Sequence, residues 1–201
     1  MFEFMTINKM SFRSLLIKGI NRALQILKDS CTLCKARNDD VLKQEPFKNH
    51  VTSLKAGMKA PDFRAKDEQG NELSLADFKG KKLVLYFYPA DATPTCTEEA
   101  CNLRDHFPDL QKKGYEVLGV SKDDERSHLK FIAKQKLPFR LIADTDLKLI
   151  KAYDTWGKKQ FMGRIFDGVA RTTFIISEKG IIEKVITKVK SKEHYRQIIE
   201  E

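Results

Sequence analysis

The stretch LVLYFYPADATPTCTEEAC, Leu83–Cys101, predicts the passage from a buried strand to a helix around which the fold is built. Its first six residues, 83–88, form a continuous apolar and aromatic run, which is typical of a strand covered on both faces. Thr95 followed three residues later by Glu98 predicts a capping box, so we expect a helix with Cys96 in its first turn. A buried strand leading directly into a helix is the unit from which α/β proteins are assembled.

Strand patterns and helix patterns alternate on both sides of this stretch. The predicted elements are short strands at 62–66 and after a turn at 69–71, the strand 83–88, a helix from Cys96 that Pro108 stops or kinks, strands at 116–120 and 139–143, helices at 125–134 and 147–153, a loop containing Gly157, Gly163 and Gly168, strands at 172–177 and 181–188, and a last helix at 192–199. This order predicts an α/β fold with a central, mostly parallel sheet, one antiparallel closing strand and helices on both faces.

The composition fits one globular domain in a chain of 201 residues, of which 41% are hydrophobic. No apolar stretch reaches the ~18–20 residues that cross a bilayer, so we expect no membrane span. The formal net charge of +9 contains no block of roughly five or six like charges, so we expect no nucleic-acid-binding tail.

Residues 1–50 predict a basic N-terminal extension or linker, and residues 51–201 the compact domain. Residues 4–28 contain five basic and no acidic residues, with apolar residues at helical spacing, a pattern typical of organelle transit peptides and membrane-surface helices. The simpler interpretation, which we favour, is a poorly ordered extension of a cytoplasmic protein without a signal peptide. Cys31 and Cys34 lie in this segment at C-x-x-C spacing, and we assign them no role.

Cys96 lies where a reactive thiolate is expected. It follows the carboxyl end of a buried strand, where ligands bind in open α/β sheets. Unpaired N–H groups and the positive end of a helix both stabilise a thiolate. Glu98 and Glu99 oppose this, so the site requires a cation from elsewhere in the chain.

Cys101 is five residues further along the same predicted helix, a rise of about 7.5 Å and a rotation of about 500°. The two sulfurs therefore cannot bond while the helix is intact, and a disulfide between them requires the first turns to unwind. Two alternatives remain from the residues alone: a pair of inert buried cysteines, or a zinc site. The four histidines show no metal-ligand spacing, so we expect no metal. His106, ten residues after Cys96, could form a nucleophilic pair with it, but nothing local supports this, and a scattered histidine is most often a surface residue.

The motif Pro89-x3-Thr93-x2-Cys96 resembles the P-x3-T-x2-C pattern of the peroxiredoxins. Further stretches are similar to the peroxiredoxin Q branch, also called bacterioferritin comigratory protein; they are 86–89, 93–97, 100–105, 156–157 and 171–176. The resemblance runs from about Leu54 to the end of the chain. One departure is Thr95, where the branch most often has glycine.

The resemblance implies a thioredoxin-like fold and a peroxidase that needs no cofactor or metal. It makes Cys96 the peroxidatic thiol and Cys101 the resolving thiol, which condenses with the Cys96 sulfenic acid to a disulfide. Thr93 and Arg171 would position the peroxide, and Pro89 would shape the pocket. A thioredoxin-like protein would reopen the disulfide. Because both thiols lie in one helix, we expect a monomer to suffice for turnover.

Two other functions are weighed against this one. A thiol–disulfide oxidoreductase usually carries C-x-x-C at this helix start, whereas here four residues separate the cysteines. A binding or chaperone-like module would instead use the basic N-terminal segment.

Overall fold

A computed structural model gives the structure of this protein and describes residues 47–200. The predicted basic helix, the Cys31–Cys34 pair and nearly all of the predicted extension lie outside the described residues. Within residues 47–200, the helices are too short or too polar to cross a membrane.

The described chain alternates strands and helices as the sequence predicts. The strands are β1 (Arg64–Lys66), β2 (Glu72–Ser74), β3 (Lys82–Phe87), β4 (Tyr115–Ser121), β5 (Arg140–Ala143), β6 (Trp156–Phe161), β7 (Arg164–Val169), β8 (Thr172–Ile176) and β9 (Ile182–Ile186). The α-helices are α1 (Pro94–Asp105), α2 (Phe107–Lys112), α3 (Glu125–Gln135), α4 (Lys148–Ala152) and α5 (His194–Ile199), with 3-10 turns at Leu75–Phe78 and Ser191–Glu193.

The central sheet has five strands in the order β5-β4-β3-β8-β9. Strands β3, β4 and β5 are parallel, β8 is antiparallel to β3, and β9 is antiparallel to β8. Strand β9 therefore points the same way as β3, and β8 alone opposes the other four. The prediction of a mostly parallel sheet with one antiparallel strand is confirmed, and that strand lies inside the sheet, between β3 and β9.

Strand β3 is buried on both faces and divides the core in two. On one face Leu83, Leu85 and Phe87 pack with residues of α4 and of the neighbouring strands. On the other face Val84 and Tyr86 pack with α1, α2, α3 and α5. Each large apolar side chain that is fully buried contributes about 1.5–3 kcal/mol, so both layers stabilise the strand that leads into the cysteine helix. Helices on both faces of the sheet are thus confirmed.

Helix α1 begins two residues earlier than predicted. Thr93 is its N-cap residue in an extended conformation, and Pro94 is the first helical residue. Proline suits this position because its fixed φ is helical and its missing N–H would have no partner there. The predicted capping box of Thr95 and Glu98 is therefore wrong, since Thr95 lies inside the first turn. Cys96 still falls in that turn, as predicted.

The loop predicted around Gly157, Gly163 and Gly168 is instead the antiparallel hairpin β6–β7. Met162 and Gly163 have φ values of 48° and 77°, the two consecutive positive angles of a type I′ turn, which matches the twist of the flanking strands. Most of the hairpin's side chains are exposed, among them Phe161 at 67% and Met162 at 87%. The alternation between buried and exposed residues that marks a strand in a sequence is therefore missing here.

The first described residues lie along this hairpin. The amide of His50 donates to the Lys158 carbonyl at 2.9 Å, and the amide of Gln160 donates to Asn49 Oδ1 at 2.7 Å. A Cβ atom on Gly157 would lie 2.2 Å from Cγ of His50, so only glycine allows this close approach.

Candidate active site

The loop between β3 and α1 carries Pro89 and Thr93, two of the predicted site residues. Pro89 is half-buried just beyond the end of β3. The Thr93 hydroxyl donates to the Ala90 carbonyl at 3.2 Å, while the Thr93 carbonyl accepts the first helical hydrogen bond from the amide of Thr97. Between them Ala92 has a φ of 55°, in the left-handed region that non-glycine residues adopt at a cost. Local bonds and backbone strain thus shape the turn into the helix.

Asp91 fixes the same loop to helix α3. Its carboxylate lies 2.8 Å from Nδ1 of His128 and accepts hydrogen bonds from the hydroxyls of Tyr88 and Ser127, both at 2.8 Å. The other ring nitrogen of His128 donates to the Ile142 carbonyl at 3.0 Å. Because both partners of the buried ring are acceptors, both ring nitrogens carry hydrogens and the imidazole is charged.

The charges of this pair are mutually stabilised. Burial by itself would lower the pKa of His128, but the hydrogen bond and charge of Asp91 outweigh it and raise that pKa. Burial by itself would raise the pKa of Asp91, but the bond to His128 outweighs it and lowers that pKa. An ion pair therefore joins the cysteine loop to α3.

Cys96 is the third residue of α1 and is only 2% exposed. Its sulfur lies 3.1 Å from Nη2 of Arg171, which precedes β8. The helix start and the guanidinium both place positive charge at the sulfur, and both favour the thiolate, the nucleophilic form. The structure thus brings together Cys96 and Arg171, which are 75 residues apart in the chain.

Arg171 uses its other amino group to bind Glu99. Nη1 pairs with Oε2 of Glu99, a carboxylate that is completely buried. The two acidic residues that the sequence placed against the thiolate therefore differ: Glu98 is half-exposed and lies 3.6 Å from Lys192, whereas Glu99 holds the cation in place. Such a site can stabilise a nucleophilic sulfur and the negative charge that develops on a substrate oxygen beside it.

Cys101 lies in the same intact helix, with its half-buried sulfur 3.6 Å from Oε1 of Gln135 on α3. Both cysteines are free thiols. The structure therefore places the two thiols on one helix at the predicted spacing, with the second directed towards a different neighbour from the first. Any bond between their sulfurs requires α1 to unwind.

Sequence reasoning misread one side chain behind Arg171, Glu99, as only opposing the thiolate, and it gave the other, His194, no role. Glu99 and His194 are both completely buried, with 0% solvent exposure. Nδ1 of His194 lies 3.3 Å from Oε1 of Glu99. The expectation that a scattered histidine lies at the surface is wrong for His194 and also for His128. Only a three-dimensional fold joins the last helix to α1, so no spacing in the sequence marks these residues.

His106, weighed as a partner for Cys96, lies elsewhere. Its Nδ1 is 2.9 Å from the Asn102 carbonyl, and its ring stacks on Tyr195 at 4.2 Å between centroids. Within residues 47–200, groups of three or more side chains able to hold a metal ion are absent.

Comparison with known proteins points to one family. The sequence profile of the AhpC/TSA family matches residues 56–185. Peroxiredoxin Bcp of Escherichia coli is 40% identical over 149 residues, which are 74% of this chain and 96% of that protein.

Solved structures similar to this chain belong to the same family. Peroxiredoxin Q of Xanthomonas campestris has a TM-score of 0.66 and 34% sequence identity, covering 73% of this chain and 93% of its own. A second structure from that organism, with a TM-score of 0.66 and 33% identity over 74% of this chain and 94% of its own, is a bacterioferritin comigratory protein described with alkyl peroxide reduction activity. The predicted thioredoxin-like fold and the predicted family are both confirmed.

Proposed function

The chain belongs to the AhpC/TSA family and is a thiol peroxidase of the peroxiredoxin type, and we propose that it reduces hydrogen peroxide and organic hydroperoxides through a sulfenic acid on Cys96. The observation that supports this most directly is the contact of 3.1 Å between the Cys96 sulfur and Arg171 at a helix start. The alkyl peroxide reduction described for the Xanthomonas relative supports organic hydroperoxides as substrates.

In the first step the Cys96 thiolate attacks the terminal oxygen of the peroxide. A sulfur–oxygen bond forms, the oxygen–oxygen bond breaks, and sulfur supplies the two electrons. The leaving oxygen takes a proton and departs as water or alcohol. Arg171 stabilises the charge on the reacting oxygens, Thr93 positions the peroxide with its hydroxyl, and Pro89 shields the sulfur from bulk water.

In the second step the Cys101 thiolate attacks the sulfenic sulfur. A disulfide forms, and the sulfenic oxygen leaves as water after taking a proton. Helix α1 must unwind for this step, because the intact helix directs the sulfurs to different sides. Since one chain holds both thiols, a monomer completes the cycle.

A dithiol protein of the thioredoxin kind restores the two thiols. One of its thiolates attacks the Cys96–Cys101 disulfide and forms a mixed disulfide. Its second thiolate then attacks that mixed disulfide, which frees both thiols of this chain and leaves the reductant with a disulfide of its own. Peroxide and a thiol reductant are thus the two reaction partners.

Two cysteine variants test this mechanism. Cys96→Ser should abolish peroxide consumption, because the nucleophile is removed. Cys101→Ser should reduce about one equivalent of peroxide per chain and then stop, leaving a sulfenic acid that a dimedone-type probe labels. The measurement is stopped-flow peroxide consumption with thioredoxin, followed by mass spectrometry. Full activity in Cys96→Ser, or an unlabelled Cys101→Ser protein after peroxide treatment, would count against the assigned roles.

The alternative thiol–disulfide oxidoreductase is tested in parallel. Insulin reduction without peroxide, at a rate comparable to peroxide turnover, would favour that alternative. We expect little insulin reduction, because the four-residue gap places the two sulfurs on different sides of α1.

A further inference from the structure

The pairing of Glu99 is incomplete without the C-terminal helix. Oε2 of this buried carboxylate is bound by Arg171, but Oε1 faces only Nδ1 of His194, 3.3 Å away. Neither Oε1 of Glu99 nor Nδ1 of His194 forms a hydrogen bond within the described residues, so each has the other as its polar neighbour, at 3.3 Å. A buried carboxylate oxygen left without any polar neighbour is strongly destabilised, so the two groups satisfy one another or neither is satisfied.

The contact of the second ring nitrogen of His194 helps to assign the tautomer of the ring. Nε2 lies 2.9 Å from the hydroxyl of Thr173, which is buried in strand β8. Burial, reinforced by the charge of Arg171, lowers the pKa of His194 to about 3, so the ring is neutral. A neutral ring has one donor nitrogen, and the ionised Glu99 can only accept. Nδ1 therefore carries the hydrogen and donates towards Glu99, while Nε2 accepts from Thr173.

We propose that His194 is a positioning residue of the peroxidase site, which holds Glu99 so that Glu99 in turn holds Arg171 against the Cys96 sulfur. The chain of contacts runs from Thr173 through His194, Glu99 and Arg171 to Cys96. This inference rests on the proposed function, because it concerns the same reaction.

The connection joins three separate parts of the chain. Thr173 and Arg171 come from β8 and its approach, Glu99 and Cys96 from α1, and His194 from the first residue of α5. Without the donor of His194, the Glu99 carboxylate would turn towards another partner or take up a proton. In either case Arg171 would lose its fixed geometry, and the peroxide oxygens would lose a preorganised donor.

The test compares four variants. His194→Leu removes the donor, and His194→Asn keeps a donor amide near the position of Nδ1. Thr173→Val removes the hydroxyl that fixes the tautomer. His106→Leu is the matched control, since His106 also lies where α1 meets the C-terminal segment, stacked on Tyr195, but lies outside this chain of contacts.

Each variant is measured for the second-order rate of Cys96 with hydrogen peroxide, its rate with iodoacetamide, and its melting temperature. Alkylation needs an accessible thiolate, whereas reaction with peroxide also needs Arg171 in place. We expect His194→Leu to lower the ratio of the peroxide rate to the alkylation rate about 10-fold. This is the lower end of the range found in metal sites, by analogy, when a side chain that holds a ligand in place is lost. His194→Asn should recover most of this ratio, Thr173→Val should lower it about threefold, and His106→Leu should leave it within about twofold of wild type.

The opposite results overturn the proposal. One is a wild-type ratio of peroxide rate to alkylation rate in a folded His194→Leu protein. The others are a His194→Asn protein whose ratio stays as low as that of His194→Leu, and a His106→Leu protein whose ratio falls as much. If His194→Leu does not melt cooperatively, Thr173→Val decides: a lowered ratio supports the proposal and an unchanged ratio overturns it. Failure of the proposed function is distinguishable, because it would appear as a lack of peroxide reaction in the wild-type protein itself.

Discussion

Arg171 makes two contacts that variants can separate, one with Cys96 and one with Glu99. Arg171→Met leaves the buried charge of Glu99 without its cation, which costs about 3–5 kcal/mol of unfolding free energy. Under the proposed mechanism it also removes the donor to the peroxide oxygens, so we expect the reaction rate to fall about 100-fold. Adding Glu99→Gln removes the unpaired charge. We expect the double variant to regain most of the stability and none of the rate.

Denaturant unfolding and stopped-flow peroxide reaction measure the two effects on the same samples. Glu98→Gln is the control, because this neighbour of Glu99 forms only a half-exposed ion pair with Lys192, and such pairs contribute about 0–1 kcal/mol. If the double variant recovered the wild-type peroxide rate, Arg171 would act on stability and not on the reaction.

Single residues also show which parts of the site can be predicted from the sequence. Cys96 could be singled out because it follows a buried strand at a predicted helix start, whereas Arg171 was named only through the family resemblance of residues 171–176. Glu99 was interpreted as an acidic residue working against the thiolate, since a sequence does not show that a side chain is fully buried beside an arginine. His194 had no local signal at all, because its partners come from α1 and β8.

At the level of secondary-structure elements, the Asp91–His128 ion pair joins the cysteine loop to α3, and its contribution to stability depends on pH. The pKa of His128 is raised in the folded protein, so its contribution is complete below the unfolded value of 6.5 and is lost as pH rises through the folded value. The pKa of Asp91 is lowered, so its contribution is complete above 3.8 and is lost as pH falls through the folded value. The pair is therefore most stabilising between about pH 4 and 6.5.

We compare wild type with the double variant Asp91→Asn/His128→Gln, which removes both charges together. The stability of wild type relative to this variant should fall as the pH is raised from 6.5 through the raised folded pKa of His128, because His128 then loses its proton. Denaturant midpoints at several pH values measure the difference. The exposed pair Asp109–Lys112, changed to Asp109→Asn/Lys112→Gln, is the control and should give a flat profile. A flat profile for the buried pair would show that His128 is uncharged.

The elements were predicted well where an apolar run, a cap or a proline marks them, and less well where such signals compete or are missing. Strand β3, helix α3 and the break before Pro108 follow from apolar runs, an Asp124 cap and a proline. The start of α1 was misplaced because two patterns competed, and the proline at the first helical position prevailed over the capping box. The hairpin β6–β7 was taken for a loop because both of its faces are largely exposed.

At the level of the whole molecule, the site is assembled from segments that are distant in the sequence but adjacent in one sheet. Strands β3 and β8 are paired neighbours, so the loop after β3 and the residue before β8 lie at the same edge. The paired register of Phe87 with Thr172 places Arg171 beside the segment that leads to Cys96. The alternation of elements predicted the sheet, but the order of its strands, and hence this juxtaposition, required the tertiary structure.

The residue at which the catalytic domain begins can be tested with shortened chains. We propose a catalytic domain separate from the N-terminal segment, and the contacts of Asn49 and His50 with the hairpin indicate that it includes these two residues. His50 also lies 3.0 Å from Asp154, and its ring covers Gly157. A fragment of residues 47–201 should therefore react with peroxide at the wild-type rate and melt at the temperature of the full chain, whereas a fragment of residues 51–201 should melt several degrees lower, since ~1 kcal/mol shifts the melting temperature by about 2–4 °C in a domain of this size.

The double substitution Asn49→Ala/His50→Ala in the full chain is the matched control, because it removes the side-chain contacts of these residues without shortening the protein, while the backbone bond from His50 to Lys158 stays. It should lower the melting temperature as the shorter fragment does, with the peroxide rate unchanged, since the hairpin contacts lie outside the chain of bonds that ends at Cys96. Equal melting temperatures for the two fragments would place the domain boundary at residue 51, and a slower peroxide reaction in the 47–201 fragment would show that the N-terminal segment contributes to the reaction.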